Sequence, residues 1–373
     1  MKKLIKTVIV IIFSLLLFTH CSKDKTGLVK KEINGITYIK YDKSFVKNNI
    51  NNKKLKKIFT LTSPKISSDT SRLFEKPFSG ALDNYGNIFI ADMKGGYIKK
   101  FSKENKYIKR IGRKGKGPGE FLKIMDIIID KKNNLFVLDG GLNRVTVLSN
   151  NGLLLTSFNV KKIVPYSFAL DSKGNILITS TFPNVDNNYV YKYSKTGIFL
   201  SSLCKRDVSL NNQIKKGKGG SFSSFDILTE NLASIAVDDS DNIYLAFARP
   251  AKIEKFTKKG KKIMVINTYF KLKINGGLEG GKLRVGDIAY TDIAISGNLI
   301  VGVLGATDRS EKDKSAHFNK SIIDIFSLNG NFLFSYNKDL LIDQGMGYRI
   351  NLKNGLLLMI SAYNFTVNLY KIQ

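Results

Sequence analysis

The sequence predicts an all-β fold, a six-bladed β-propeller of four-stranded antiparallel blades, and three observations predict it. A hairpin phrase recurs six times, the spacing between copies holds four strands, and the two ends of the chain complement one another. The phrase is Asp, two variable residues, a Gly, Asn or Asp, then Asn and an alternating apolar run. It reads DNYGNIFIAD at residues 83–92, DKKNNLFVLD at 130–139, DSKGNILIT at 171–179 and DDSDNIYLA at 238–246. Weaker copies stand at 295–301 (ISGNLIV) and 351–359 (NLKNGLLLM).

Each copy is a strand, a tight turn and a second strand, because Gly and Asn tolerate positive φ and the apolar run alternates with the period of a pleated sheet. A third strand and a second turn follow each of the first five copies, as at 144–149 before Asn151-Gly152 and 253–257 before Lys259-Gly260. Fourth strands then come at 107–111, 153–160, 199–203, 262–267 and 332–336. Taking the Asn as marker gives Asn87, Asn134, Asn175, Asn242, Asn298 and Asn354, at intervals of 47, 41, 67, 56 and 56 residues. Intervals near 40 to 50 residues with four strands each are propeller blades. The longer intervals hold insertions, expected at 206–222 and 307–320, where the sequence is polar or glycine-rich.

The sixth copy reaches only its third strand, 365–371, before the chain stops, and an orphan strand, 55–61, lies upstream of the first copy. Pairing the two completes the last blade and leaves it no bare edge, so the N-terminal strand is expected to close the ring. A further strand-like stretch at 33–41 is expected to extend that same blade or lie on its flank.

The domain reading is a signal peptide at 1–20, an anchor tether and N-terminal extension at 21–53, and the propeller at 54–373. Lys2, Lys3 and Lys6 precede an apolar run, 8–18, that is too short to span a bilayer and of signal-peptide length. Cys21 follows at once, before a polar stretch, in the manner of a bacterial lipoprotein, although His20 and Phe18 stand where a small and an aliphatic residue are usual. Cys21 is therefore the expected lipid attachment site. The expected location is the outer membrane, reached by the anchor alone. The second cysteine, Cys204, reads as a small apolar core filler, and no disulfide framework exists.

The formal charge is +30, from 60 Lys and Arg against 30 Asp and Glu, but the basic residues are dispersed along the chain. A nucleic-acid footprint concentrates its charge, so no nucleic-acid partner is expected. Part of the excess reads as compositional drift, since Lys, Asn and Ile are abundant together.

The run Gly115-Lys-Gly117-Pro118-Gly119-Glu120-Phe121, followed by the Asp130 and Asp139 repeat, resembles an inter-blade loop of the NHL-type six-bladed propellers, and of the propeller lipoproteins of Bacteroidetes-type bacteria. A decayed copy stands at 216–222 (KGKGGSF), and the likeness covers roughly residues 54–373. A phosphate-binding loop is the weaker reading, because no helix pattern follows Phe121. The glycines instead permit a sharp passage between blades, with Phe121 packed between them.

Lyases and lactonases on related propellers use histidine bases or calcium, and only the second option suits a chain whose two histidines are His20 and His317. Asp126, Asp226 and Asp287 precede inner-strand patterns and are the candidate channel-mouth ligands for calcium or a substrate, with turn aspartates as the plainer reading. The once-per-blade series Asp83, Asp130, Asp171 and Asp238 reads as structural. Tyr166, Phe182, Tyr189 and Phe225 are the candidate ligand-face aromatics, with inter-blade packing as the competing role. No catalytic set converges. The expected function is a non-catalytic binding or interaction scaffold of the cell envelope, a monomer taking a protein, peptide or glycan, with a calcium-dependent lyase or lactonase-like hydrolase as the alternative.

Overall fold

The computed structural model describes residues 22–23, 27–62, 73–160, 163–181, 187–206, 232–248, 251–267, 278–279, 282–283, 290–306, 320–336, 348–361 and 365–373. The expected hairpins are present, and they assemble six antiparallel sheets into a propeller. The inner strands are Pro77–Leu82, Ile124–Ile129, Pro165–Leu170, Ala233–Val237, Tyr290–Ser296 and Tyr348–Lys353, in blades 1 to 6. Each packs beside the inner strand of the next blade, and the sixth packs beside the first. Because blades 1 to 5 are antiparallel meanders, their first-to-second and third-to-fourth turns fall on one face of the disc, the turn face, which also holds the first-to-second turn of blade 6. The connections between blades leave from the other.

The ring closes as the sequence predicts. Leu55–Thr62 is the outer strand of blade 6, antiparallel to Thr366–Ile372, with Thr62 opposite Thr366 and Leu55 opposite Ile372. Apolar packing follows the same plan: one buried cluster fills each of the six interfaces between neighbouring blades. The cluster between blades 6 and 1 sets Leu61, Leu358 and Val367 against Ile88, Ile90 and Phe101. The second strand of a blade is buried on both faces, and Ile88–Asp92 and Leu135–Asp139 are buried at every residue, which is why the phrase reads as an almost continuous apolar run.

The N-terminal segment differs from expectation. Leu28–Ile33 and Ile36–Tyr41 form a hairpin on blade 4, not blade 6, and Ile36–Tyr41 runs parallel to the outer strand Lys262–Asn267. Residues 28–32, expected within the tether, are therefore part of a strand. The chain then crosses blade 5 through the short helix Lys43–Asn48 before reaching blade 6 at Leu55. Tyr41 fixes the crossing, since its hydroxyl donates to the Gly330 carbonyl (2.6 Å) and accepts from the Phe332 N–H (2.7 Å). The strand goes to blade 4 because Ile39, Ile266 and Met264 bury one another there. The expected insertions fall, apart from Arg206 and Lys320 at their ends, outside the described residues.

Candidate functional site

The repeated Asp of each phrase holds its own turn. Asp83 accepts from the N–H groups of Tyr85 (2.9 Å) and Asn87 (2.8 Å) and from the Asn87 side-chain amide (2.8 Å). Asp130, Asp171 and Asp238 repeat the pattern residue for residue. Asp92 and Asp139, at the far end of the second strand, each accept from N–H groups of the segment that leads into their blade. These residues build the blades and leave the axis to others.

In the inter-blade loop, the Glu120 carboxylate accepts from the Gly117 N–H (2.8 Å) and pairs with Arg113 (2.8 Å), and those partners hold its pKa below the usual carboxylate value. A Cβ on Gly115 would displace that carboxylate, and Gly119 has φ +72°, a conformation that favours glycine. Phe121 is fully buried between blades 1 and 2, as expected.

At the axis the inner strands diverge. Counting back three residues from Leu82, Ile129, Leu170, Val237, Ile295 and Leu352, which pair with equivalent second-strand residues, gives Ser79, Asp126, Ser167, Ser234, Asp292 and Arg349. One side chain per blade thus forms a polar layer. Asp126 accepts from Ser79 Oγ (2.7 Å) and Ser167 Oγ (3.1 Å), tying blade 2 to both neighbours. Asp292 accepts from the Ile350 N–H (2.8 Å) and lies 3.4 Å from Arg349 Nη1, which also donates to Ser234 Oγ (3.4 Å). Hydrogen bonds through this layer join all of blades 1–3 and all of blades 4–6.

The Arg349 guanidinium lies 5.2 Å from the Phe78 ring of blade 1 and 4.6 Å from the Tyr166 ring of blade 3, so it also bridges the two halves. Burial opposes its charge, but Tyr166, Asp292 and Asp126 together hold its pKa above the ordinary arginine value. Its Nη2 is buried with no hydrogen-bond partner among the described residues. Burial pushes Asp126 up, against Arg349 and the two serines. Asp292 rises to about 6, since burial and the nearby Asp126 charge outweigh Arg349 and the backbone donors.

A cavity of about 650 Å³ opens on the turn face and runs along the axis to this layer. Asp126, Ser167 and Asp292 form its floor, and Ile128, Leu170, Val237 and Leu352 are among its walls. Lys131, Lys132, Lys173, Lys195 and Lys353 stand around its mouth, together with the turn aspartates Asp130, Asp171 and Asp238 and the exposed Asp239. The lining ends at the polar layer, because no residue on the far side of that layer contributes to it.

Of the sequence candidates, Asp126 is therefore at the axis, and Tyr166 stacks on Arg349 just beyond the floor. Tyr189 is instead packed edge-on against Phe247 (4.9 Å) and beneath Arg206 (4.6 Å), in the interface of blades 3 and 4, so its ring serves packing. Cys21, Phe182, Phe225, Asp226 and Asp287 lie outside the described residues. Among the described residues no three His, Cys, Asp or Glu side chains gather as a metal site. Asp292, Arg349 and the three serines were missed. Their signal is positional, a polar residue two to four residues before each hairpin phrase, visible only when the six inner strands are aligned.

Fold and axis together define a six-bladed propeller whose axial cavity ends on a charged, hydrogen-bonded layer. The chain belongs to the DUF5128 family, described as 6-bladed beta-propeller, whose model matches residues 30–247. Among solved structures it is similar to an exported-protein candidate from Bacteroides fragilis, at 11% identity and TM-score 0.58, covering 90% of this chain and 99% of that one. It is also similar to a protein of unknown function from Bacteroides thetaiotaomicron, at 10% identity and TM-score 0.55, covering 87% of this chain and 74% of that one. At such identities the likeness concerns the fold alone. No curated protein matches the chain in sequence.

Proposed function

We propose that this protein is an exported, lipid-anchored envelope propeller, attached through Cys21, that binds an anionic glycan, peptide or protein segment in its channel without transforming it. Export is supported by the leader pattern of residues 1–20 and by the likeness to the Bacteroides fragilis exported-protein candidate. The NHL-type lipoprotein resemblance points the same way. The observation that carries the binding reading is the channel itself: a mouth with four exposed lysines, Lys131, Lys132, Lys173 and Lys195, against one exposed carboxylate, Asp239, leads through apolar walls to a floor whose carboxylates are already held by their neighbours. Such a floor offers a ligand shape and hydrogen bonds, and no activated nucleophile. The Cys204 thiol is buried and its pKa is raised by burial, so it is not one.

The test is a thermal-shift panel of oligosaccharides, acidic peptides and organic anions at low and high salt, repeated on Ile128→Trp, which fills the channel. A hit that weakens with salt and disappears in Ile128→Trp supports the reading. A hit that survives in Ile128→Trp overturns it. An enzyme reading rests on Asp292, whose pKa of about 6 suits proton transfer. Turnover of a hit that falls below pH 6 and vanishes in Asp292→Asn would put catalysis in place of binding.

A further inference from the structure

Outer strands of propeller blades face water, and here three consecutive ones face it with large apolar side chains. Leu153, Leu154 and Leu155 begin the outer strand of blade 2, and Ile198, Phe199 and Leu200 begin that of blade 3; all are between 45% and 70% exposed. Tyr107 and Ile108 continue the series onto blade 1. All follow third-to-fourth turns, so they share the rim of the turn face. Contacts between blades make the series continuous: Lys109 Nζ donates to the Asn151 carbonyl (2.8 Å), and Gly197 of blade 3 packs directly on the Phe158 ring of blade 2.

Exposed apolar runs at the start of a strand invite a partner. Blade 4 shows what the fold does when it covers such an edge itself: the N-terminal hairpin lies along it and buries Ile39 and Tyr41. Blades 1 to 3 have no such cover among the described residues. The charge beside the rim selects the occupant. The described turns of blades 1 to 3 on this face carry six exposed lysines, Lys103, Lys106, Lys131, Lys132, Lys173 and Lys195, against one exposed carboxylate, Glu104. Apolar side chains ringed by lysines match the two layers of a bilayer surface, hydrocarbon below and anionic headgroups above.

We infer that the turn-face rim of blades 1 to 3 docks on an anionic lipid bilayer, with Leu154 and Phe199 entering the acyl boundary and the turn lysines meeting the headgroups. This orientation does not depend on what the channel binds. It sets the propeller against the surface by one side, with the channel mouth beside the headgroup layer.

The chain contains no tryptophan, so a single Trp reports its own surroundings. In the full chain, Phe199→Trp is compared with Leu333→Trp, an exposed outer-strand position that follows the third-to-fourth turn of blade 5, outside the arc of blades 1 to 3. The probes are phosphatidylglycerol vesicles with brominated acyl chains, and phosphatidylcholine vesicles as the neutral control. The expected result is a blue shift and bromine quenching for Phe199→Trp alone, on the anionic vesicles. Adding Leu154→Ser is expected to weaken partitioning roughly tenfold. Equal quenching of both reporters would mean that the anchor alone holds the protein, and would overturn the orientation. So would quenching of neither, a blue shift that grows with protein concentration without vesicles, which marks a second copy, or one produced by soluble polyphosphate.

Discussion

Arg349 joins more of the molecule than any other side chain at the axis: it reaches Ser234 on blade 4, Asp292 on blade 5, Phe78 on blade 1 and Tyr166 on blade 3. Ions buried this deeply are retained where removal of one partner would strand another, so the layer fixes the relative position of blades more than it adds net stability. Buried carboxylates also give the fold a pH dependence. Asp324, in the third strand of blade 5, is 2% exposed and accepts a hydrogen bond from Ser335, and burial raises its pKa to about 7. With Asp292 at about 6, both groups hold protons in the folded state that the unfolded chain, near 3.8, has released. Their contribution is complete below about pH 4 and is lost as pH rises through 6 and 7. The urea midpoint should therefore fall between pH 5 and pH 8, and Asp324→Asn should flatten the part of that fall nearest pH 7. A midpoint that rises across this window, or an unchanged slope in Asp324→Asn, would contradict the assignment.

At the scale of the element, the hairpin phrase is a self-contained unit. Asp130 accepts from the N–H groups of Lys132 and Asn134 and from the Asn134 side chain, so Asp130→Ala should cost about 1–2 kcal/mol in urea unfolding. A loss near zero would show that the turn forms without its cap. This unit was legible in the sequence because it is local: its donors and acceptor lie within four residues, and four of the six copies repeat it with the Asp in place. Phe121 and Gly119 were legible for the same reason. The polar layer was legible only at Asp126, because Ser79, Asp292 and Arg349 acquire meaning from neighbours 47 to 271 residues away, and a serine in an inner strand looks like any other. The N-terminal hairpin was placed on the wrong blade because its pattern fits any open edge. Packing of Ile39 and Tyr41 against blades 4 and 5 decides between edges, and that is a tertiary property.

For the whole molecule, the channel exists only if the ring is closed, and closure rests on strands more than 300 residues apart in sequence. Inter-blade clusters alone would permit an open spiral; the pairing of Leu55–Thr62 with Thr366–Ile372 does not. Thr60 and Asn368 face each other in that sheet, with Thr60 Oγ1 donating to Asn368 Oδ1 at 2.6 Å. The direct measurement is oxidation of the double variant Thr60→Cys with Asn368→Cys, read by thiol counting and thermal unfolding with and without reductant. A disulfide within one chain, with a midpoint raised by several degrees and restored by reductant, is the result a closed ring predicts. Thiols that stay free, or that link only one molecule to another, would contradict closure, and with it the channel on which the functional reading stands.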